Sequence, residues 1–222
     1  MALLPAIELV TGHDPKSAVI WMHGLGADGH DFVPVVKELG LPAERPIRFI
    51  FPHAPMRPVT INGGHVMRAW YDIAQDGLAR RADAQGIRES QAAIEALIAR
   101  ENERGIPSER IVLAGFSQGG AIALQTALRH RARLAGVLAL STYLPLADTV
   151  AAEAAAANAA VPIFMAHGSQ DEVIPMAMAA ESRQRLEALG YPVEFHTYPM
   201  PHSVCMEEIG AIAHWLERHS GA

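Results

Sequence analysis

Residues 114–121 read AGFSQGGA and directly follow the run Arg110-Ile111-Val112-Leu113. A serine between two glycines, after a strand-like IVLA and before a helix-like AIALQTAL, predicts a strand, a sharp turn and a helix, which is the setting of a nucleophile elbow. To project its hydroxyl from the sheet edge, Ser117 must adopt a strained backbone conformation. Bulky side chains two residues to either side would then collide, and glycines at 115 and 119 remove that clash. The helix that opens here also aims its N-terminal amides at any oxyanion formed beside Ser117. The competing reading makes Ser117 a plain helix N-cap.

Working outward, short β-branched runs alternate with longer helical patterns, the signature of an α/β protein with a mostly parallel central sheet and helices on both faces. Strands are expected at Ser17–Met22, Ile47–Phe51, Arg110–Ala114, Gly136–Leu140, Pro162–Ala166 and Pro192–Tyr198, with an N-terminal piece near Ile7–Val10. Helices are expected at about Asp31–Leu39, Gly86–Arg104, Ser117–His130, Met176–Leu189 and Met206–Arg218. The clearest is the second, where Ile94, Leu97, Ile98 and Glu101 keep a 3.6-residue period and Gly105-Ile106-Pro107 ends it. The alanine-biased AAEAAAANAA at 151–160 reads as an ordinary surface helix.

Composition narrows the function classes. A chain of 222 residues, 50% hydrophobic and 19% charged, suits a single domain spanning residues 1–222. The net charge of −6 and the absence of a basic run argue against nucleic acid as a partner. Cys205 is the single cysteine, which excludes an internal disulfide and fits a reducing compartment. The opening MALLPAIELV has no positive n-region and no membrane-length apolar run, so the expectation is a cytoplasmic protein without stable membrane insertion.

One stretch breaks the rhythm. Residues 52–77 carry several prolines, a Gly63-Gly64 pair and little periodicity. Long excursions of this kind commonly cover a site. Met56, Val59, Ile61, Met67, Trp70 and Tyr71 are apolar enough to pack over a pocket, so a lid is expected here, against the plainer reading of a surface loop with a small satellite core.

A serine hydroxyl is a weak nucleophile at neutral pH, so an elbow requires a histidine base and a carboxylate to orient it, in the chain order Ser, Asp, His. Asp171 lies in HGSQDEVIP, just past the strand PIFMA, and His202 lies in PMPHS, just past the last strand. Both fall at the carboxyl edge of the sheet, where open α/β sheets build their sites. Glu172 and Asp148 are the rival acids, and Asp171 is preferred by position. His167 is read as shaping its own turn, His196 as a structural strand residue, and His214 and His219 as solvent-facing. The second oxyanion donor should come from the loop His23-Gly24-Leu25-Gly26-Ala27-Asp28-Gly29, which makes the amides of Leu25 and Gln118 the expected pair. Of the apolar residues that could line a substrate groove, Trp70 and Leu144 are favoured because they sit in apparent loops.

With these residues assembled, the chain resembles the phospholipase/carboxylesterase family of small α/β-hydrolases, which includes carboxylesterases and acyl-protein thioesterases. The resemblance runs over nearly the whole chain. It is carried by His23-Gly24-Leu25-Gly26, Trp70-Tyr71-Asp72, Gly86-Ile87 with Glu89-Ser90, Gly115 to Gly120, Leu140 to Pro145, His167-Gly168 with Asp171 and Pro175, and His202. One departure is Ala27 followed by Asp28, where some members have the acid directly after HGLG. The resemblance implies a triad of Ser117, Asp171 and His202, oxyanion amides at Leu25 and Gln118, and no cofactor or metal. It also implies a small-molecule ester or an acylated protein or lipid as substrate, and a homodimer as a candidate assembly. A non-catalytic binding protein on the same fold and a serine peptidase or amidase stand as the alternative functions.

Overall fold

The computed structural model describes residues 3–76 and 79–220, so Met1 and Ala2 of the N-terminal reading and Gly77 at the end of the expected lid lie outside it. Strands in chain order are β1 (Ala6–Val10), β2 (Ser17–Met22), β3 (Ile47–Pro52), β4 (Met56–Val59), β5 (His65–Arg68), β6 (Ile73–Asp76), β7 (Ala79–Ala82), β8 (Ile111–Phe116), β9 (Gly136–Leu140), β10 (Ile163–Gly168) and β11 (Val193–Tyr198). Helices are α1 (Val35–Glu38), α2 (Ala84–Glu103), α3 (Gln118–Arg129), α4 (Val150–Glu153), α5 (Met176–Ala188) and α6 (Met206–His219).

Seven strands form one sheet in the order β1-β3-β2-β8-β9-β10-β11, parallel throughout except for β1, which pairs antiparallel with β3. Side chains alternate between its two faces, and the core divides accordingly. Ala18, Ile20 and Met22 of β2 join Leu113, Val137 and Ile163 beneath α2, α3 and α5, whereas Val19 and Trp21 join Val112, Leu138 and Phe164 beneath α1 and α6. Helix α2 presents Ile87, Ile94, Leu97 and Ile98 to the first cluster. Its buried Glu101 is neutralised by Arg48 at 2.8 Å and by Arg100 and Arg104, each at 3.1 Å. Helix α6 approaches the sheet closely because residue 136 is glycine; a Cβ there would overlap the Trp215 ring.

The chain leaves β2 toward β3 on one side and returns to β8 on the other. The order therefore reverses beside β2, and the crevice between the carboxyl ends of β2 and β8 is the natural ligand position of such a sheet. Among the described residues no helix is long and apolar enough to cross a membrane.

Two expected helices are corrected. The segment Asp31–Leu39 is helical only over Val35–Glu38. Pro34 has no N–H to donate and disfavours the α conformation at Val33, so the preceding residues form tight turns, with Asp31 N–H on Asp28 O and Val33 N–H on His30 O. The stretch 151–160 is likewise not one surface helix. It is the end of α4 followed by a 3₁₀ turn at Ala156–Asn158, because Asn158 is buried, donating to His130 O and Ala132 O while accepting from Leu134 N–H.

Candidate active site

Ser117 sits between β8 and α3 with φ 55° and ψ −120°, the left-handed side of backbone space that a non-glycine residue enters only at a cost. Its surroundings hold it there. Ser117 N–H donates to Leu140 O at 2.8 Å, and its carbonyl accepts the Thr142 hydroxyl at 2.6 Å and Ala121 N–H at 3.1 Å. The flanking glycines are required by space rather than only by dihedral. A Cβ at Gly115 would overlap the backbone of Gly119, and one at Gly119 would overlap the carbonyl oxygens of Met22 and His23.

Asp171 and His202 arrive on neighbouring loops after β10 and β11. These loops are sewn together by Ser169 N–H on Tyr198 O and Gln170 N–H on Met200 O. Gly168 permits that approach, since a Cβ on it would meet Met200 O and Pro201 O. The Asp171 carboxylate is fully buried. One oxygen accepts Val173 N–H and Ile174 N–H at 2.9 and 2.8 Å; the other accepts His202 Nδ1–H at 2.6 Å. That bond fixes the proton on Nδ1 and leaves Nε2 as a base. The His202 ring packs on Phe116, the residue before Ser117, with ring centroids 4.7 Å apart. Among the described residues no hydrogen bond joins His202 to Ser117 Oγ; catalytic contacts of this kind commonly tighten only with substrate bound.

The other histidines and acids are placed otherwise. His167 Nε2 bonds Ile174 O at 2.8 Å within its own turn and lies 3.4 Å from Asp171 Oδ2, His196 stacks on Phe164, and His214 bonds Gly210 O on the exposed side of α6. Asp148 pairs with Arg185 at the surface, and Glu172 is exposed. Burial raises the Cys205 thiol, opposite to what a nucleophilic thiolate needs.

Leu25 lies in the turn after β2, where Gly26 N–H donates to Arg68 O and Ala27 N–H to Gly24 O; among the described residues the Leu25 N–H has no acceptor. Gln118 is the first residue of α3, a position whose N–H has no partner inside the helix. His23 anchors the Leu25 turn. Its Nδ1–H donates to Gly24 O at 2.7 Å and its Nε2 accepts Ala54 N–H at 3.0 Å, so the ring is neutral in one tautomer, and burial lowers its pKa. The sequence drew attention to His23 only as the first residue of its glycine-rich loop.

Ser117 opens into an apolar cleft of about 230 Å³ walled by Leu25, Ile61, Ile73, Val173, Ile174 and Met178, with Tyr71 and Tyr143 hydroxyls in contact at 2.7 Å. Burial and the neighbouring phenol push Tyr71 well above its ordinary value. Ile61 was legible as a groove residue. Val173 and Ile174 could have been found from their adjacency to Asp171.

Neither residue favoured for substrate contact lines this cleft. Trp70 is fully buried beneath it, because its indole N–H and main-chain N–H are both bonded to protein, to His23 O and Gln118 Oε1. Leu144 faces a small adjoining groove with Ser182 and Arg185, held by its N–H on Ser182 Oγ. A larger groove of about 560 Å³ lies at the opposite, amino-terminal end of the sheet, between Arg133 and Arg218, far from Ser117.

The described part of the excursion, residues 52–76, forms the hairpin β4–β5 and strand β6, which pairs with β7. It contributes Ile61, Asn62 and Ile73 to the cleft wall.

A mostly parallel sheet, a positive-φ serine turn after β8, the fourth strand counted from the β1 edge, and helices on both faces define an α/β-hydrolase. The Phospholipase/Carboxylesterase family matches residues 6–220. The chain is 43% identical to acyl-protein thioesterase 1 of Neurospora crassa, over 96% of this chain and 89% of the fungal protein. Among solved structures it is similar to Arabidopsis thaliana SOBER1, with a TM-score of 0.86 and 28% identity over 91% of this chain and 98% of the other. Zea mays acyl-protein thioesterase 2 gives a TM-score of 0.83 and 28% identity over 97% and 99%. The chain belongs to the phospholipase/carboxylesterase family and is a hydrolase of the esterase class.

Proposed function

We propose that the chain hydrolyses carboxylic esters and thioesters of medium acyl length through an acyl-enzyme on Ser117. The observation that carries this reading is a strained serine lining an apolar cleft, next in the chain to Phe116, on whose ring packs a histidine already oriented by a buried carboxylate. Ser117 Oγ attacks the acyl carbon while His202 Nε2 takes its proton. The carbonyl oxygen becomes an oxyanion facing the Leu25 and Gln118 amides. His202 then donates the proton to the departing alcohol or thiol, and in the second half it activates water against the acyl-serine. Asp171 stays ionised throughout and stabilises the imidazolium. Residues 52–77 act as the cover of the cleft, supported by the wall residues they supply.

An apolar cleft of about 230 Å³ suits an acyl chain of short to medium length. Names of similar proteins point to acylated proteins as substrates, so an S-acylated peptide belongs in the test. Initial rates on aryl esters from acetate to laurate should peak near that length, with a matched S-octanoyl peptide also turned over and the matched amide far slower. An amide cleaved as fast as its ester would favour the peptidase reading instead.

A further inference from the structure

We propose that Trp70 and the Gln118 side chain are positioning residues that hold the Leu25 and Gln118 amides at a fixed separation. The proposal rests on the reading of Ser117 as the acylated residue and deepens it. The two amides belong to separate elements, the loop after β2 and the first turn of α3, and one short segment is bonded to both. Trp70 Nε1–H donates to His23 O at 2.9 Å, two residues before Leu25. Trp70 N–H donates to Gln118 Oε1 at 2.8 Å, and Gln118 Nε2–H donates to Tyr71 O at 2.7 Å. The Trp70 carbonyl is held in turn by the Ser90 hydroxyl of α2. The same segment reaches the Leu25 turn a second time, through Gly26 N–H on Arg68 O.

His23, Ser90 and Gln118 are buried, and Trp70 and Tyr71 completely so. An apolar side chain at 118 would fill the same space. A glutamine whose two polar ends both engage residues 70–71 instead specifies distance and direction, because a fully bonded buried polar network admits one arrangement. Oxyanion stabilisation depends on donors held where the charge develops, so a brace that keeps them in place acts on the transition state more than on substrate binding.

The test uses Trp70→Phe and Gln118→Met, both of which leave the two main-chain amides present. Rates are expressed per site titrated with a fluorophosphonate, so loss of folded protein is removed from the comparison, and either variant alone suffices if the other does not fold. Two ketones of octanoyl length report on the two states. A trifluoromethyl ketone adds Ser117 Oγ to its carbonyl carbon, passes the hydroxyl proton to His202 and places an oxyanion against the amides; the unfluorinated methyl ketone occupies the cleft without adding.

The expected result is a kcat lower by about tenfold or more with KM within about twofold. Trifluoromethyl ketone affinity should weaken in proportion to kcat/KM, while methyl ketone affinity is retained. The brace is overturned if kcat and trifluoromethyl ketone affinity stay at wild-type values, or if both ketones weaken alike, which marks a general packing role. A wild-type protein inert to the fluorophosphonate overturns the Ser117 reading itself, and the brace with it.

Discussion

Glu208 in the first turn of α6 offers the sharpest stability experiment. Its side chain is completely buried, and among the described residues neither carboxyl oxygen has a hydrogen-bond partner. Burial raises its pKa from 4.5 to about 8. The groups facing it include Tyr198, itself pushed up to about 12, and Cys205. Because the folded protein holds this proton more tightly than the unfolded chain, the stability it contributes is complete below about pH 4.5 and is lost as pH rises through about 8. At about 1.4 kcal/mol per pH unit the whole effect is about 5 kcal/mol, of which a little over half falls between pH 6 and pH 9. For a chain of this length that is a fall in Tm of about 5 to 11 °C. Glu208→Gln carries no such proton, so the variant should match the wild type near pH 5, lose far less stability on the way to pH 9, and be the more stable of the two there. Thermal unfolding of both proteins in matched buffers checks this. Overlapping Tm profiles from pH 5 to 9 would refute the reasoning.

Other outcomes follow from the site. Gly119→Ala should lower kcat/KM by more than about 100-fold, since a Cβ there meets the carbonyls of Met22 and His23 and displaces the Gln118 amide; steady-state kinetics on an octanoyl ester would show it. Asp171→Asn keeps an oxygen for Val173 N–H and Ile174 N–H but turns an amide N–H toward His202 Nδ1, forcing the wrong tautomer. Its kcat should fall by about four orders of magnitude with the fold intact, which activity and near-ultraviolet circular dichroism together would establish.

Much of this architecture was legible because local chemistry and global fold agree. Each of the seven sheet strands was expected within a residue or two; the central parallel strands are legible because, buried on both faces, they read as near-continuous apolar runs. Pro162 and Pro192 were placed inside strands that begin one residue later. The Ser, Asp, His order followed from which strands precede each residue. What escaped was decided by tertiary contacts. Asp31–Leu39 has a helical pattern that Pro34 interrupts, and 151–160 has alanine's helix propensity overridden by the buried amide of Asn158. Trp70 is a large apolar residue in an irregular segment, which suggested substrate contact. In the fold both of its N–H groups are instead bonded to protein, to His23 O and Gln118 Oε1.

The central claim is that Ser117 forms the acyl-enzyme. Rapid acid quench of the wild-type protein with an octanoyl aryl ester, followed by peptide mass analysis, measures it directly. The account predicts one octanoyl group, on the peptide containing Gly115 to Gly119 and located at Ser117, and none in Ser117→Ala. An octanoyl group on another residue, or Ser117→Ala hydrolysing the ester at the wild-type rate, would contradict it.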